Sequence, residues 1–299
     1  MSTILHGCLP DTTYFEITAR SGNQYGVWVT TPPGYAESTE PLPLVYVVDG
    51  NWSVGLTAPL IVTQADPFLT VEPYVQVTVG FAGDEAADWA QLRNRDLVPP
   101  GEPVSEEMVA AVTSARETGA MTAEHADAYL AMLADTRADV FLDFLTKELH
   151  PRLQSELRVS ESGHGLFGYS YGGLFALYAW LRGGTPFATF GAGTPGVAST
   201  ESEVFTMLDA LPDRSPGSTV PRLHVTLNEV EIFGHLPIYR RLARNVLSFL
   251  DLLHGKGLAD AVSSEVLRET HVTGLQASFL SYLTACRSIA QVATVSTDA

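Results

Sequence analysis

The stretch Leu166-Phe167-Gly168-Tyr169-Ser170-Tyr171-Gly172-Gly173-Leu174-Phe175-Ala176-Leu177 decides the fold. It reads as an apolar strand, a sharp turn and a helix, with a serine at the tip of the turn. A serine so placed sits on a strained backbone with its hydroxyl directed away from the sheet. Glycines flank it because a side chain at Gly168 or Gly172 would block the close strand-to-helix approach. The Gly-x-Ser-x-Gly pattern alone is a weak signal, and its context carries the reading. Residues 159–167 pass from polar to apolar on the way in. Residues 174–181 leave as a helix of small and large apolar side chains, and Gly173 lets that helix pack hard on the sheet.

Working outward, strands and helices alternate. Residues 12–19 and 24–31 alternate polar and apolar around Ser21-Gly22-Asn23, a hairpin signature. Residues 44–48 form a β-branched run of the kind buried on both faces in a parallel sheet. The loop Asp49-Gly50-Asn51-Trp52 then precedes a helix over about 54–64, and 74–79 is the next buried strand. Residues 93–100, rich in charge and proline, read as a loop outside the core. Residues 139–149 read as an amphipathic helix leading to the Ser170 strand. Beyond it come a strand at 187–192, a polar linker at 212–221, a strand at 222–227 and a long helix at 237–254. A strand at 263–270, a closing helix at 275–289 and a frayed tail after Gln291 complete the chain. The pattern predicts an α/β fold with a mostly parallel central sheet, an antiparallel N-terminal hairpin and helices on both faces.

The whole of 1–299 is expected to be one domain, interrupted by an acidic, alanine-rich helical insertion at about 101–136. Helices are predicted there near 105–116 and 122–134, the second with Thr122 as N-cap and Glu124 in its first turn. The insertion either lies over the functional edge of the sheet or is a solvated excursion without a role.

A formal charge of -17 argues against nucleic-acid partners and against anionic membrane surfaces. No apolar run is long enough to span a bilayer, and residues 1–11 lack the basic and apolar regions of a signal peptide. Cys8 and Cys286 lie near opposite ends, so no disulfide framework is implied and a cytoplasmic home is expected. A homodimer is compatible with the sequence.

A serine hydroxyl is a poor nucleophile until a base takes its proton and a third group orients that base. In α/β-hydrolase architectures the order along the chain is Ser, acid, His. Among the histidines, His6, His125, His150 and His164 precede Ser170; His224 sits inside a strand, and His254 ends a long helix. His271 follows a strand and precedes the last helix, where the fold delivers its base. The acid belongs just past the 222–227 strand, at Asn228-Glu229-Val230-Glu231. Strand alternation would point both glutamates the same way. Glu231 is preferred for reach, Glu229 is second, and a Ser170–His271 dyad is a third reading. The oxyanion would be held by the Tyr171 N–H, at a helix start, and by the N–H of Gly50 or Asn51.

Residues 44–52 ending Val-Val-Asp-Gly-Asn-Trp, Arg-Asn-Arg-Asp-Leu-Val-Pro at 93–99, Gly168 to Gly173, Asn228 to Glu231 and His271 occur in a telling order. In that order, over about residues 12–290, the chain resembles an esterase group of the α/β-hydrolases. That group is similar to enterobactin-type siderophore esterases and includes feruloyl esterases and S-formylglutathione hydrolase. The resemblance implies an α/β-hydrolase fold and hydrolysis of carboxylic esters through a serine acyl-enzyme. Two positions depart from the group: its usual His before the nucleophile is Tyr169, and its Ser-Pro-Ser-Leu-Trp-like stretch is Thr194-Pro195-Gly196-Val197-Ala198. Losing the bulky aromatic there should widen the acyl pocket. The acidic insertion also differs from the short loop of the siderophore enzymes.

The expected activity is a serine esterase or lactonase acting on a small-molecule ester or lactone, with no metal and no organic cofactor. Acyl transfer by the same residues and a non-catalytic binding protein are the rivals. Trp52, Arg93, Arg95 and Tyr169 are candidate substrate contacts. For the two arginines the competing reading is a salt bridge to Asp96 or Asp88. Arg240, Arg241 and Arg244 read as a solvated helix face, and Glu124, His125 and Asp127 lack metal-ligand geometry on one helix.

Overall fold

The computed structural model describes residues 3–4, 9, 11–66, 71–212 and 220–288. Cys8, most of the linker predicted at 212–221 and the tail after Gln291 lie outside the described residues. A short β1 (Thr3–Ile4) and the hairpin β2 (Thr12–Thr18) and β3 (Gln24–Thr30) open the chain. Next come β4 (Leu44–Val47), α1 (Gly50–Thr57) and β5 (Val75–Phe81), then α2 (Trp89–Leu97), α3 (Glu106–Glu117) and α4 (Ala123–Ala134). The helices α5 (Ala138–Asp143) and α6 (His150–Glu156) are joined by a π turn at Phe144–Leu149 and lead into β6 (His164–Tyr169). After it follow α7 (Tyr171–Arg182), β7 (Phe187–Gly193), α8 (Glu203–Ala210), β8 (Arg222–Asn228) and α9 (Glu229–Phe233). The long α10 (Pro237–Gly255), β9 (Val262–Leu267) and α11 (Gly274–Arg287) close the described chain.

Among the described residues, nine strands form one sheet in the order β1-β2-β3-β5-β4-β6-β7-β8-β9. Pairings from β5 through β9 are parallel, and those joining β1, β2, β3 and β5 are antiparallel. Alternation along β4 explains why helices cover both faces. Leu44 and Tyr46 point into a core shared with Phe175 and Phe249, whereas Val45 and Val47 point into a second core with Phe279 and Tyr282. The nucleophile strand β6 sits near the middle, paired with β4 through Val47↔Phe167 and with β7 through Tyr169↔Gly193. Its C-terminal end therefore opens among the other C-terminal loops, where ligands of open α/β sheets bind.

Several local expectations need correction. No loop separates Asp49 from its helix: α1 begins at Gly50, not Val54, and continues as a tighter 3₁₀ turn over Ala58–Ala65. Asp49 turns the chain there with a left-handed φ of 62°. The stretch 93–100 is not an exposed loop. Most of it belongs to α2, and Asn94, Asp96 and Leu97 are buried. Its charges enter the interior because they are paired with one another and with residues far along the chain. Only Pro100, past the helix end, is exposed as the composition suggested; Val98 and Pro99 are outside the helix but buried. Helix α8 had no counterpart in the sequence reading. Thr122 does cap α4, its side chain accepting the His125 amide.

Candidate active site

Ser170 lies between β6 and α7 with φ 59° and ψ −116°, a conformation rarely tolerated by a side-chain-bearing residue and found at strained functional turns. Three backbone bonds hold it there. Its N–H donates to Gly193 O (2.8 Å), and its carbonyl accepts from Gly196 N (2.9 Å) and Leu174 N (3.0 Å). A methyl at Gly168 would collide with the Gly172 carbonyl, and one at Gly173 would sit 2.6 Å from Gly193 O. Both glycines are thus dictated by the closeness of helix and strand.

His271 arrives on the β9–α11 loop. Thr270 and Thr273 stiffen that loop by exchanging backbone-to-hydroxyl hydrogen bonds, and the Gly274 amide donates to Thr270 O at 3.0 Å. The imidazole Nε2 lies 3.1 Å from Ser170 Oγ, and Nδ1 lies 2.8 Å from Glu231 Oε1. With the ring proton on Nδ1, the imidazole donates to the carboxylate and Nε2 is free to accept the serine hydroxyl. Tyr239, at the start of α10, stacks on the imidazole with centroids 4.6 Å apart and planes 18° from parallel.

The acid is positioned by a helix start that alternation does not reveal. Residues 229–233 are helical, so Glu229 and Glu231 do not share a direction: Glu229 is exposed and Glu231 is 1% exposed. Glu231 Oε2 accepts from the Asn228 amide (2.9 Å) and Thr194 Oγ1 (3.0 Å), and Oε1 also accepts from Asn228 Nδ2 (2.9 Å). The bond to the Asn228 amide is half of a capping box, with Asn at the N-cap and Glu at N3. Burial acts to raise the Glu231 pKa. The hydrogen bonds from His271 and Asn228 outweigh it, and the carboxyl titrates below its ordinary value.

The amides expected to face an oxyanion lie at two helix starts. Tyr171 is the first residue of α7, and Gly50 and Asn51 are the first two of α1, where backbone N–H groups have no intrahelical partner. The Asn51 side chain is pinned to β5 by Phe81 N (2.7 Å) and Phe81 O (3.0 Å). Asp49, preceding these amides, takes a two-pronged ion pair from Arg93 at 2.8 and 2.6 Å. The Arg93 guanidinium also lies 5.7 Å from the Trp52 ring and 5.4 Å from that of Tyr171.

The other candidate contacts fall into place less favourably. Arg93 is committed to Asp49, not to Asp96 or Asp88. Arg95 is committed to Asp96 and Glu85, and Asp96 also accepts the Tyr25 hydroxyl. Tyr169 is 1% exposed, its hydroxyl accepts from Asn228 Nδ2 at 2.7 Å, and burial pushes its pKa up. Tyr169 stands behind His271 and Trp52 as packing. Trp52 is half-buried beside it. The insertion is anchored onto this end of the sheet. Met108 and Leu133 share a narrow cavity with Tyr171 and Gly196, Glu107 pairs with Arg241, and Asn94 Nδ2 donates to the Tyr129 hydroxyl. Sequence reasoning missed Tyr239 altogether, and no local motif marks it.

Among the described residues, no helix is long and apolar enough to cross a membrane. Residues 18–205, more than half of the chain, match the family described as "Putative esterase". A siderophore triacetylfusarinine C esterase of Aspergillus fumigatus is 25% identical over 297 residues, covering 90% of this chain and 91% of that protein. The ferri-bacillibactin esterase BesA of Bacillus subtilis is 26% identical over 63% of this chain and 60% of its own. Among solved structures, the siderophore hydrolase EstB from Aspergillus nidulans superposes with a TM-score of 0.74 at 19% identity, covering 96% of this chain and 98% of its own. The enterobactin hydrolase IroE in complex with DFP superposes with a TM-score of 0.63, also at 19% identity, covering 93% and 95%. On the family match and this shared fold, the chain belongs to the "Putative esterase" family and is a carboxylic ester hydrolase of the α/β-hydrolase type.

Proposed function

We propose that the protein hydrolyses small-molecule esters through an acyl-enzyme on Ser170, with His271 as general base and Glu231 as the group that orients and steadies it. The observation that carries the reading is the unbroken row from Ser170 Oγ to His271 Nε2 (3.1 Å) and from His271 Nδ1 to Glu231 Oε1 (2.8 Å). The base takes the hydroxyl proton as Oγ attacks the carbonyl carbon, and the buried carboxylate stabilises the imidazolium that forms. Negative charge on the carbonyl oxygen is met by the Tyr171 N–H, with a second donor from Gly50 or Asn51. Collapse expels the alcohol, and water then attacks the acyl-enzyme by the same route. The relatives are named for siderophore esters, so a siderophore or a lactone of comparable size is the first substrate class to screen. We further read the whole chain as a single domain, with residues 101–136 as a cap beside the site, working in a reducing cytoplasm.

A fluorophosphonate probe tests the assignment. Wild-type protein should be labelled and should turn over p-nitrophenyl acetate, and Ser170→Ala should do neither while remaining folded. Folded wild type that stays unlabelled, or Ser170→Ala that keeps its turnover, would remove Ser170 from the chemistry. Adding an alcohol acceptor and analysing products separates hydrolysis from acyl transfer.

A further inference from the structure

Between α9, the start of α10 and the His271 loop runs a groove of about 310 Å³, and both His271 and Glu231 reach its wall. The rest of that wall is mostly apolar: Val230, Leu236, Tyr239 and Val272 line it. The surface around it is apolar as well. Phe233 is 76% exposed, Val272 68%, Leu236 48% and Val230 47%. Large apolar side chains clustered this way on a chain of charge -17 mark a surface that something covers. No lysine or arginine lines the groove; its titratable side chains are Glu231, His235 and His271, with the Tyr239 phenol.

The reaction identifies the occupant. When the tetrahedral intermediate collapses, the bond from carbonyl carbon to alcohol oxygen breaks and its electron pair goes to that oxygen. The proton held on His271 Nε2 moves to the same oxygen, and the acyl group stays on Ser170 Oγ. The departing oxygen must therefore lie within hydrogen-bond reach of Nε2, and the body of the alcohol extends past the imidazole. That ring forms part of the groove's wall. The stacked Tyr239–His271 pair is flat, and Val230, Leu236 and Val272 make most of the remaining wall apolar, with His235 and Thr270 as polar side chains at its margin, which suits a planar, uncharged group. We propose that this groove is the leaving-group subsite and that it selects esters of neutral, aromatic or similarly flat apolar alcohols. The inference rests on the Ser170–His271 reading of the site and deepens it.

The test compares acetate esters of ethanol, benzyl alcohol and 2-naphthylmethanol. Their alcohols are of similar acidity, so the chemical step changes little along the series. Wild type should show kcat/KM at least tenfold higher for the naphthylmethyl ester than for the ethyl ester, and free 2-naphthylmethanol should inhibit competitively. In the double variant Leu236→Asn/Val272→Asn that ratio should fall to threefold or less. Val62→Asn, an exposed apolar position away from the groove, should keep the ratio. A wild-type ratio below twofold, or a folded double variant that keeps the preference, would overturn the inference. If the variants misfold, the wild-type ratio and the alcohol inhibition decide alone. A wild-type dimer that the double variant splits while the ratio stays intact would assign the patch to a second copy of the chain, which also overturns it. Failure of the underlying reading looks different: wild type would then resist the fluorophosphonate probe and hydrolyse none of the esters.

Discussion

Replacing Glu231 with glutamine removes one negative charge from behind His271 and leaves the size of the side chain unchanged. In the transition state the imidazole is becoming an imidazolium whose Nδ1 lies 2.8 Å from the carboxylate. With charge centres about 4 Å apart and an effective dielectric of about 20, the lost attraction is roughly 4 kcal/mol, or about a thousandfold in rate. The amide also fits its surroundings badly. Oε1 receives N–H groups from His271 and Asn228 Nδ2, and Oε2 receives the Asn228 amide. Either orientation of the glutamine sets its own N–H₂ against a donor, which should lower stability by about 1–3 kcal/mol. The assay is kcat and KM for p-nitrophenyl acetate near pH 7.5, with urea unfolding alongside. Glu231→Gln should lose about three orders of magnitude in kcat, and Glu229→Gln, at an exposed position, should stay within about twofold of wild type. A Glu231→Gln variant that retains a tenth of wild-type kcat, or a Glu229→Gln variant that loses as much, would refute the assignment of the acid.

Other consequences are open to the same instruments. Tyr239→Ala should lower kcat by up to about tenfold with little change in KM, since an aromatic stack is worth about 0.5–1.5 kcal/mol, and Tyr239→Phe should restore it. Loss in both variants would mean that the hydroxyl acts, not the ring. Arg93→Met leaves the Asp49 carboxylate buried without its counter-charge and should cost about 3–5 kcal/mol in urea unfolding; a loss under about 1 kcal/mol would show that the pair is not sealed. His224, bonded to Ser263 and Ser281, has its pKa lowered to about 4, chiefly by burial. The unfolded chain therefore takes up this proton first as pH drops below about 6.5, and His224 alone should lower stability by up to about 3 kcal/mol between there and pH 4, with buried His164, also lowered to about 4, adding to the slope. His224→Gln should make that slope about half as steep, and an unchanged slope would assign it to other groups.

What could be read from the residues alone followed from short-range physics. The Ser170 turn was legible because its glycines are forced by a local close approach. The parallel sheet was legible because β4 is apolar on both faces and strands alternate with helices after it. His271 could be found by chain order once that turn was recognised. What escaped the reading depends on partners far apart in sequence. Arg93 and Asp49 are separated by α1 and β5, and no pattern at either position announces the other. A charged run such as Arg-Asn-Arg-Asp therefore reads as solvated until its partners are known. Tyr239 escaped because stacking on His271 depends on where α10 begins relative to a loop more than 30 residues later.

The choice between the two glutamates shows how one element boundary controls a functional conclusion. Residues two apart on a strand share a face, whereas on a helix they lie about 200° apart around the axis. If β8 had continued past Asn228, both carboxylates would have faced the same way and only reach would have separated them. Because the chain turns helical at residue 229, one glutamate is sent to solvent and the other beneath His271. The signal for that change was present in Asn228-x-x-Glu231, the spacing of an N-cap and its N3 acid. The carboxylate that accepts the Asn228 amide is the one that accepts His271, so a single side chain both ends the strand and orients the base. Removing its charge should therefore loosen the start of α9 as well as slow the chemistry, and Asn228→Ala should reproduce part of the kinetic defect although Asn228 contacts neither Ser170 nor the imidazole.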